Sequence, residues 1–100
     1  MTTNLTQEAF SENLDSEFLL EDEALSQKLR LIKVSERKVS PPWEQFSIMF
    51  RGGTDTALEQ GTFHLEHPTM GELDLFMVPV KSDEQGIYYE AVFSYLAEAG

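Results

Sequence analysis

The chain has 100 residues, a net charge of −11 and no cysteine. One hundred residues make a single domain, for which we expect a core over residues 5–93 and a tail over residues 94–100. The charge predicts repulsion from nucleic acids and anionic membranes, and the missing thiols exclude disulfides and thiolate metal sites. No apolar run reaches the roughly 18 residues that a membrane-spanning helix needs, and no signal-peptide pattern is present, so we expect a cytoplasmic protein.

The N-terminal segment 6–14 has the pattern of a short amphipathic helix. Thr6 is a suitable N-cap, and Glu8 brings negative charge to the first turn. Phe10 and Leu14 lie four residues apart and define an apolar face. Because two helical turns are unstable alone in water, we expect this face to pack against the rest of the core.

The following segments carry the two-residue period of β-strands. We expect a short strand at 18–20 and a longer one at 25–34, where the apolar phase changes and predicts a β-bulge near Leu31–Ile32. Residues 40–43 read Ser-Pro-Pro-Trp and predict a stiff loop, because two prolines disfavour both a helix and a central strand.

The clearest strands lie in the second half of the chain, where apolar and polar residues alternate between glycine-bearing turns. We expect strands at 45–51, 62–66, 73–80 and 87–93, with a hairpin turn at 82–86. Pro79 predicts a strand end or an edge. The stretch 88–99 also fits a helical spacing, but its β-branched and aromatic content favours a strand to Phe93, followed by a frayed or helical tail.

Together these elements predict a mainly β domain, with five to seven strands in a small antiparallel barrel or sandwich and a short N-terminal helix closing one end. An unpaired edge near Pro79 would also permit self-assembly. The sequence does not define an oligomeric state.

No recognisable catalytic motif is present. There is no cysteine nucleophile, no serine in a G-x-S-x-G turn and no Walker loop. Eighteen acidic side chains make chance carboxylate pairs unavoidable, so such pairs indicate no activity. We therefore expect a non-enzymatic protein without a cofactor.

A metal or small-ligand site is the alternative hypothesis. His64 and Glu66 share the polar face of one predicted strand, where Asp74 from a neighbouring strand could join them around one ion. His67 follows at the end of that strand, so that His64, Glu66 and His67 are the candidate ligands. The competing interpretation is that the first two are ordinary solvent-facing residues and that His67 belongs to a turn.

Trp43 and an uneven charge distribution indicate a protein interface. Residues 1–27 carry seven acidic side chains and no basic one, whereas residues 28–38 hold five of the seven basic side chains. Such a cluster is either a functional patch, which docks an acidic partner or RNA, or a solvated strand face. Trp43 is either a binding anchor held by the adjacent prolines or a plug for one end of the barrel. The candidate partner-binding residues are Trp43, Arg30, Lys33, Arg37, Lys38 and Arg51, although Arg51 could instead pair with Asp55 or Glu59.

Four runs carry a resemblance to a known family: FSIMFRG at 46–52, QGTFHLEHP at 60–68, GELDLFMVPV at 71–80 and YEAVF at 89–93. They resemble the bacterial family of domains of unknown function 6916 across roughly residues 5–93. The resemblance implies a stand-alone bacterial protein, offers no catalytic residues, and suggests association with phage-tail-like assemblies. The acidic N-terminus and the tail at 94–100 depart from the family pattern.

The function that we expect is therefore that of a protein-binding or accessory protein, in the context of a phage-tail-like or surface assembly. The alternative is the metal- or small-ligand-binding protein centred on His64, Glu66 and His67.

Overall fold

The computed structural model describes residues 6–22, 25–36, 38–40, 43–53 and 59–96. These residues form one short helix and seven strands, and their bounds in chain order are α1 Gln7–Glu12, β1 Glu17–Asp22, β2 Leu25–Val34, β3 Lys38–Ser40, β4 Trp43–Gly52, β5 Gly61–His67, β6 Gly71–Asp83 and β7 Gly86–Leu96. The mainly β fold class predicted from the sequence is confirmed, with the predicted number of strands.

Six of the strands close into an antiparallel barrel, and β3 is an additional strand on β4. The hydrogen-bonded order runs β2-β1-β5-β6-β7-β4-β3, and a further pairing of β2 with β4 closes the ring. The β2–β4 register shifts between Leu31 and Lys33, so the predicted bulge is confirmed. A bulge increases local twist and bends a strand, which helps a small sheet to close on itself.

Alternating side chains fill the barrel interior, as the two-residue period predicts. On β4 every second residue from Phe46 to Gly52 is buried, while the residues between them are half-buried. The large side chains with less than 2% exposure are Tyr89, Phe10, Phe18, Phe46, Phe50, Leu20, Leu29, Leu31, Ile48, Leu65, Leu75 and Met77.

Helix α1 closes one end of this core. The Oγ1 atom of Thr6 accepts a hydrogen bond from the backbone N–H of Ala9 at 3.1 Å, which confirms the predicted N-cap. Phe10 is fully buried, with its ring 5.4 Å from Phe93 and 6.2 Å from Phe46 between centroids. Leu14, the other half of the predicted apolar face, is 44% exposed, because the helix ends before it.

Two local predictions were wrong, the loop over residues 40–43 and the end of the last strand at Phe93. Ser40 and Trp43 lie in β3 and β4 and pair with each other, while the two prolines between them lie outside the described residues. Of the two alternatives predicted for Pro79, the strand end is excluded, because Pro79 lies inside β6, where the β6–β7 register shifts between Pro79 and Lys81. β7 runs past Phe93 to Leu96, so the alternative of a helix beginning at residue 88 is excluded; residues 97–100 lie outside the described part.

An edge at Pro79 is nevertheless confirmed within the described strands. β5 pairs with β6 only as far as Met77, and beyond that residue β6 pairs with β7 alone. The missing N–H of Pro79 therefore removes no bond from a central strand.

Candidate functional site

An open groove of about 810 Å³ follows the seam between β1 and β5. These strands pair only at Leu19 with Glu66 and at Leu20 with Leu65. Towards the start of β1 and the end of β5 they therefore separate, and the groove lies in the gap. Its lining residues include Ser16, Phe18, Leu19, Lys28, His67 and Pro68.

His67 lies at the base of this groove and is only 7% exposed. Its Nδ1 atom accepts hydrogen bonds from the backbone N–H groups of Thr69 and Met70, both at 3.1 Å. Its Nε2 atom lies 2.8 Å from the Oγ atom of Ser16. The ring also packs against Phe18 in a tilted arrangement, with 4.3 Å between centroids.

These bonds define the tautomer of His67. Because Nδ1 accepts from two N–H donors, the neutral ring carries its proton on Nε2 and donates it to Ser16 Oγ. The hydroxyl of Ser16 in turn donates to the carbonyl oxygen of Asn13. Burial lowers the pKa of His67, in agreement with a neutral ring.

The Ser16–His67 pair is therefore not arranged for nucleophilic catalysis. A histidine that activates a serine must accept the hydroxyl proton on a free nitrogen lone pair, but here Nε2 is the donor and Nδ1 is occupied. The pair stabilises the turn after β5, where His67 caps the Pro68–Met70 backbone and Met70 enters the core.

A second cluster of titratable groups lies on the outer surface of β5 and β6. His64 Nδ1 lies 2.9 Å from Asp74 Oδ1, and His64 Nε2 lies 3.2 Å from Glu72 Oε1. Both bonds require the protonated ring, in which both nitrogens are donors. The bonds to Asp74 and then Glu72 raise the pKa of His64.

The structure brings together only some of the candidate metal ligands. His64, Glu66 and Glu72 each offer a ligand atom, and these atoms lie within 4.8 Å of one another. Asp74 joins the cluster through Nδ1 of His64, as expected. His67 faces the interior of the barrel and does not take part.

Trp43 begins β4 and is 51% exposed. It pairs with Ser40 of β3 and with Leu96 of β7, so it lies in a three-stranded extension of the barrel. Val39 of the same extension pairs with Glu44, which lies on the core-facing side of β4 by the two-residue period. Val39 is nevertheless 56% exposed. The core therefore does not cover either face at this level, and the interpretation of Trp43 as a plug is wrong.

The basic residues that are candidates for partner binding lie in different parts of the structure. Lys38 pairs in register with Gln45 beside Trp43, and Lys33 pairs with Met49 further along β4; both side chains are exposed. Arg30 donates to the carbonyl oxygen of Asp15 at 2.9 Å. Arg37 lies outside the described residues.

Arg51 lies beside the β6–β7 turn. It donates to Gln85 Oε1 at 3.3 Å and contacts Tyr88, whose hydroxyl bonds to Asp83 Oδ2 at 2.9 Å. No ion pair joins it to Glu59, as far as the structure describes the chain, and Asp55 lies outside that part. Arg51 therefore contacts the β6–β7 turn, and its pairing with Asp55 stays a prediction.

Sequence reasoning missed Ser16 and Glu72 and misplaced His67. His67 follows Phe63 and Leu65 at the two-residue period, which already predicts that it faces the core. Glu72 could be found by assuming a tight β5–β6 hairpin, which places it opposite Glu66. No sequence signal identifies Ser16, because its contact with His67 depends on the closed barrel.

The comparisons with known proteins place the chain in one family. The model of a family described as a domain of unknown function (DUF6916) matches residues 5–93. No curated protein and no solved structure matches the chain. Within the described residues, no helix is long and apolar enough to cross a membrane.

Proposed function

The chain belongs to the DUF6916 family of domains of unknown function, and we propose that it is a protein-binding domain that docks through the extension formed by β3 and the adjoining ends of β4 and β7. The observation that carries the proposal is the exposure of Trp43 at the outer end of this extension, where it pairs with Ser40. Tryptophan is enriched among the residues that dominate binding energy, because its large side chain buries much apolar surface when a partner covers it.

The backbone around Trp43 suits an anchor. β4 is hydrogen-bonded on both sides at this level, to Ser40 of β3 and to Leu96 of β7. The indole is therefore held on a paired strand, and little conformational entropy is lost when a partner covers it. Val39 extends the exposed apolar surface to the other face of the same strands.

The expected partner is a different protein that presents an apolar pocket with acidic groups at its rim. Lys38 lies on the same face of the sheet as Trp43, since its register partner Gln45 is two residues along β4. No ion pair involves Lys38 or Lys33 among the residues that the structure describes, so both charges are available to a partner. Two copies of a chain with a net charge of −11 repel each other, which disfavours a homodimer.

The test begins with capture of partners by the tagged full chain at low salt, followed by a binding titration with the purified partner. Replacing Trp43 with alanine is expected to weaken binding by at least about 30-fold, equivalent to about 2 kcal/mol. Lys38→Glu is expected to slow association, and more so at low salt. Phe76→Ala is the matched control, because Phe76 is an exposed aromatic side chain on β6, outside the extension.

Capture of a protein does not itself support the proposal. A partner that binds the Trp43→Ala and wild-type chains equally would overturn the assigned surface. A partner lost equally in the Phe76→Ala control would place the interface elsewhere on the barrel. The phage-tail-like or surface assembly expected from the resemblance remains a prediction, which the identity of the partner would test.

A further inference from the structure

The outer surface of the β5–β6 hairpin concentrates negative charge around one imidazole. Glu66 and Glu72 are directly opposed across the two strands, and His64 is opposed to Asp74. Like charges on opposed positions destabilise a sheet. Three carboxylates and one imidazolium leave a local charge of −2, and a divalent cation that replaces one imidazolium proton would reduce it to −1.

The ligand atoms of this cluster are already close. The atoms offered by His64, Glu66 and Glu72 lie within 4.8 Å of one another. Tetrahedral bonds of about 2.0–2.2 Å place ligand atoms roughly 3.4 Å apart, so a shift of about 1 Å would bring them onto one ion. All three residues are exposed, and small rotations of their side chains meet no packed core.

Asp74 gives the imidazole the orientation of a metal ligand. Its Oδ1 atom lies 2.9 Å from Nδ1 of His64, which directs Nε2 towards Glu72. A carboxylate on one ring nitrogen and a metal on the other is the usual arrangement around metal-bound histidines. His64 is thus positioned from one side and open to an ion on the other.

We propose that His64 Nε2, Glu66 and Glu72 form a binding site for a divalent transition metal ion such as Zn²⁺ or Ni²⁺, with Asp74 as the positioning residue. An imidazole ligand favours these ions over Mg²⁺ and Ca²⁺, which prefer oxygen ligands alone. The ion takes the place of the Nε2 proton, and water completes its coordination. The proposal is independent of the protein interface, which lies on β3, β4 and β7.

The test is calorimetric titration of the purified, tag-free chain with Zn²⁺ and, separately, with Mg²⁺. Micromolar binding of one Zn²⁺ per chain is expected, with no comparable binding of Mg²⁺. His64→Gln and Glu72→Gln are expected to abolish it, and Asp74→Asn to weaken it by about 10- to 100-fold. Glu84→Gln is the control, because it removes the same charge from an exposed turn position outside the cluster.

Direct evidence for the ligands comes from the NMR signals of the imidazole. Addition of Zn²⁺ is expected to shift the Nε2 resonance of His64 and to leave His67 unchanged. Binding that survives His64→Gln, or that is equally weakened by Glu84→Gln, would indicate general attraction to an acidic surface and overturn the site. A titration without heat or NMR shifts at millimolar Zn²⁺ would also overturn it.

Discussion

The Nε2 atom of His67 lies 2.8 Å from the Oγ atom of Ser16, which precedes it by 51 residues. This bond joins the end of β5 to the connection between α1 and β1, across the seam where the two strands have stopped pairing. It therefore replaces backbone bonds at the weakest junction of the barrel. On its other side the same ring accepts the N–H groups of the following turn.

The first prediction concerns this double role of His67. His67→Phe keeps a ring against Phe18 but removes the Nδ1 acceptor of two hydrogen bonds, from the backbone N–H groups of Thr69 and Met70. Each such bond contributes about 0.5–1.5 kcal/mol, so urea unfolding should show a loss of about 1–3 kcal/mol. His64→Phe makes the same substitution at an exposed position of the same strand, and a much smaller change is expected. Equal effects of the two variants would show that the turn does not depend on His67.

The second prediction is that the two histidines titrate on opposite sides of the ordinary pKa of 6.5. Hydrogen bonds to Asp74 and Glu72 raise the pKa of His64, whereas burial lowers the pKa of His67. The contribution of His64 to stability is therefore present below pH 6.5 and lost as pH rises through its raised pKa. That of His67 is present above pH 6.5 and lost as pH falls through its lowered pKa.

This titration can be measured from the ¹H and ¹³C shifts of the imidazole Cε1–H groups in metal-free buffer. His64→Gln assigns the two signals and serves as the control, since it should leave the titration of His67 unchanged. If both histidines titrated with the same midpoint near pH 6.5, the result would contradict the hydrogen bonds of His64 in the surface cluster and the buried, neutral state of His67.

A third prediction separates the two apolar residues of the N-terminal helix. Phe10 is fully buried among aromatic rings, whereas Leu14 is 44% exposed. Phe10→Ala should lower the free energy of unfolding by about 3–5 kcal/mol. Leu14→Ala should change it by less than about 1 kcal/mol. Chemical denaturation measures both, and similar losses would show that the helix packs through a different face.

The strands of the barrel were predictable because the signal for them is local. Alternation from Phe46 to Phe50 indicates which side chains face the core, and the change of phase after Leu31 indicates the bulge. The closing pair β2–β4 was not predictable, because it joins segments whose approach depends on the whole sheet. The choice between an anchor and a plug for Trp43 was not predictable for the same reason, since only the closed barrel shows where its core ends.

The candidate sites were predictable in part. The polar face of β5 indicated that His64 and Glu66 point to solvent, which is confirmed. The same period, extended to His67, would have placed that residue in the core, but the neighbouring proline suggested a turn. The contribution of Glu72 depends on the register of a hairpin, and a single sequence defines register only weakly.

The last prediction tests the close approach of two glycines where β4 meets β7. Gly52 pairs with Ile87, next to Gly86, and a Cβ atom at Gly86 would overlap the carbonyl oxygen of Gly52. Backbone atoms cannot rotate away as a side chain can, so the strands would have to separate. Gly86→Ala should therefore lower the free energy of unfolding by about 2 kcal/mol or more.

Gly53 provides the matched control, because a Cβ atom there meets nothing within 4 Å. Gly53→Ala is expected to be neutral or to stabilise by up to about 1 kcal/mol, since it restricts the unfolded chain. Urea unfolding of the two variants measures the difference. Equal stability of the Gly86→Ala and Gly53→Ala variants would show that β4 and β7 lie further apart at this point than the pairing requires. The end of the barrel beside Arg51 would then be less tightly closed.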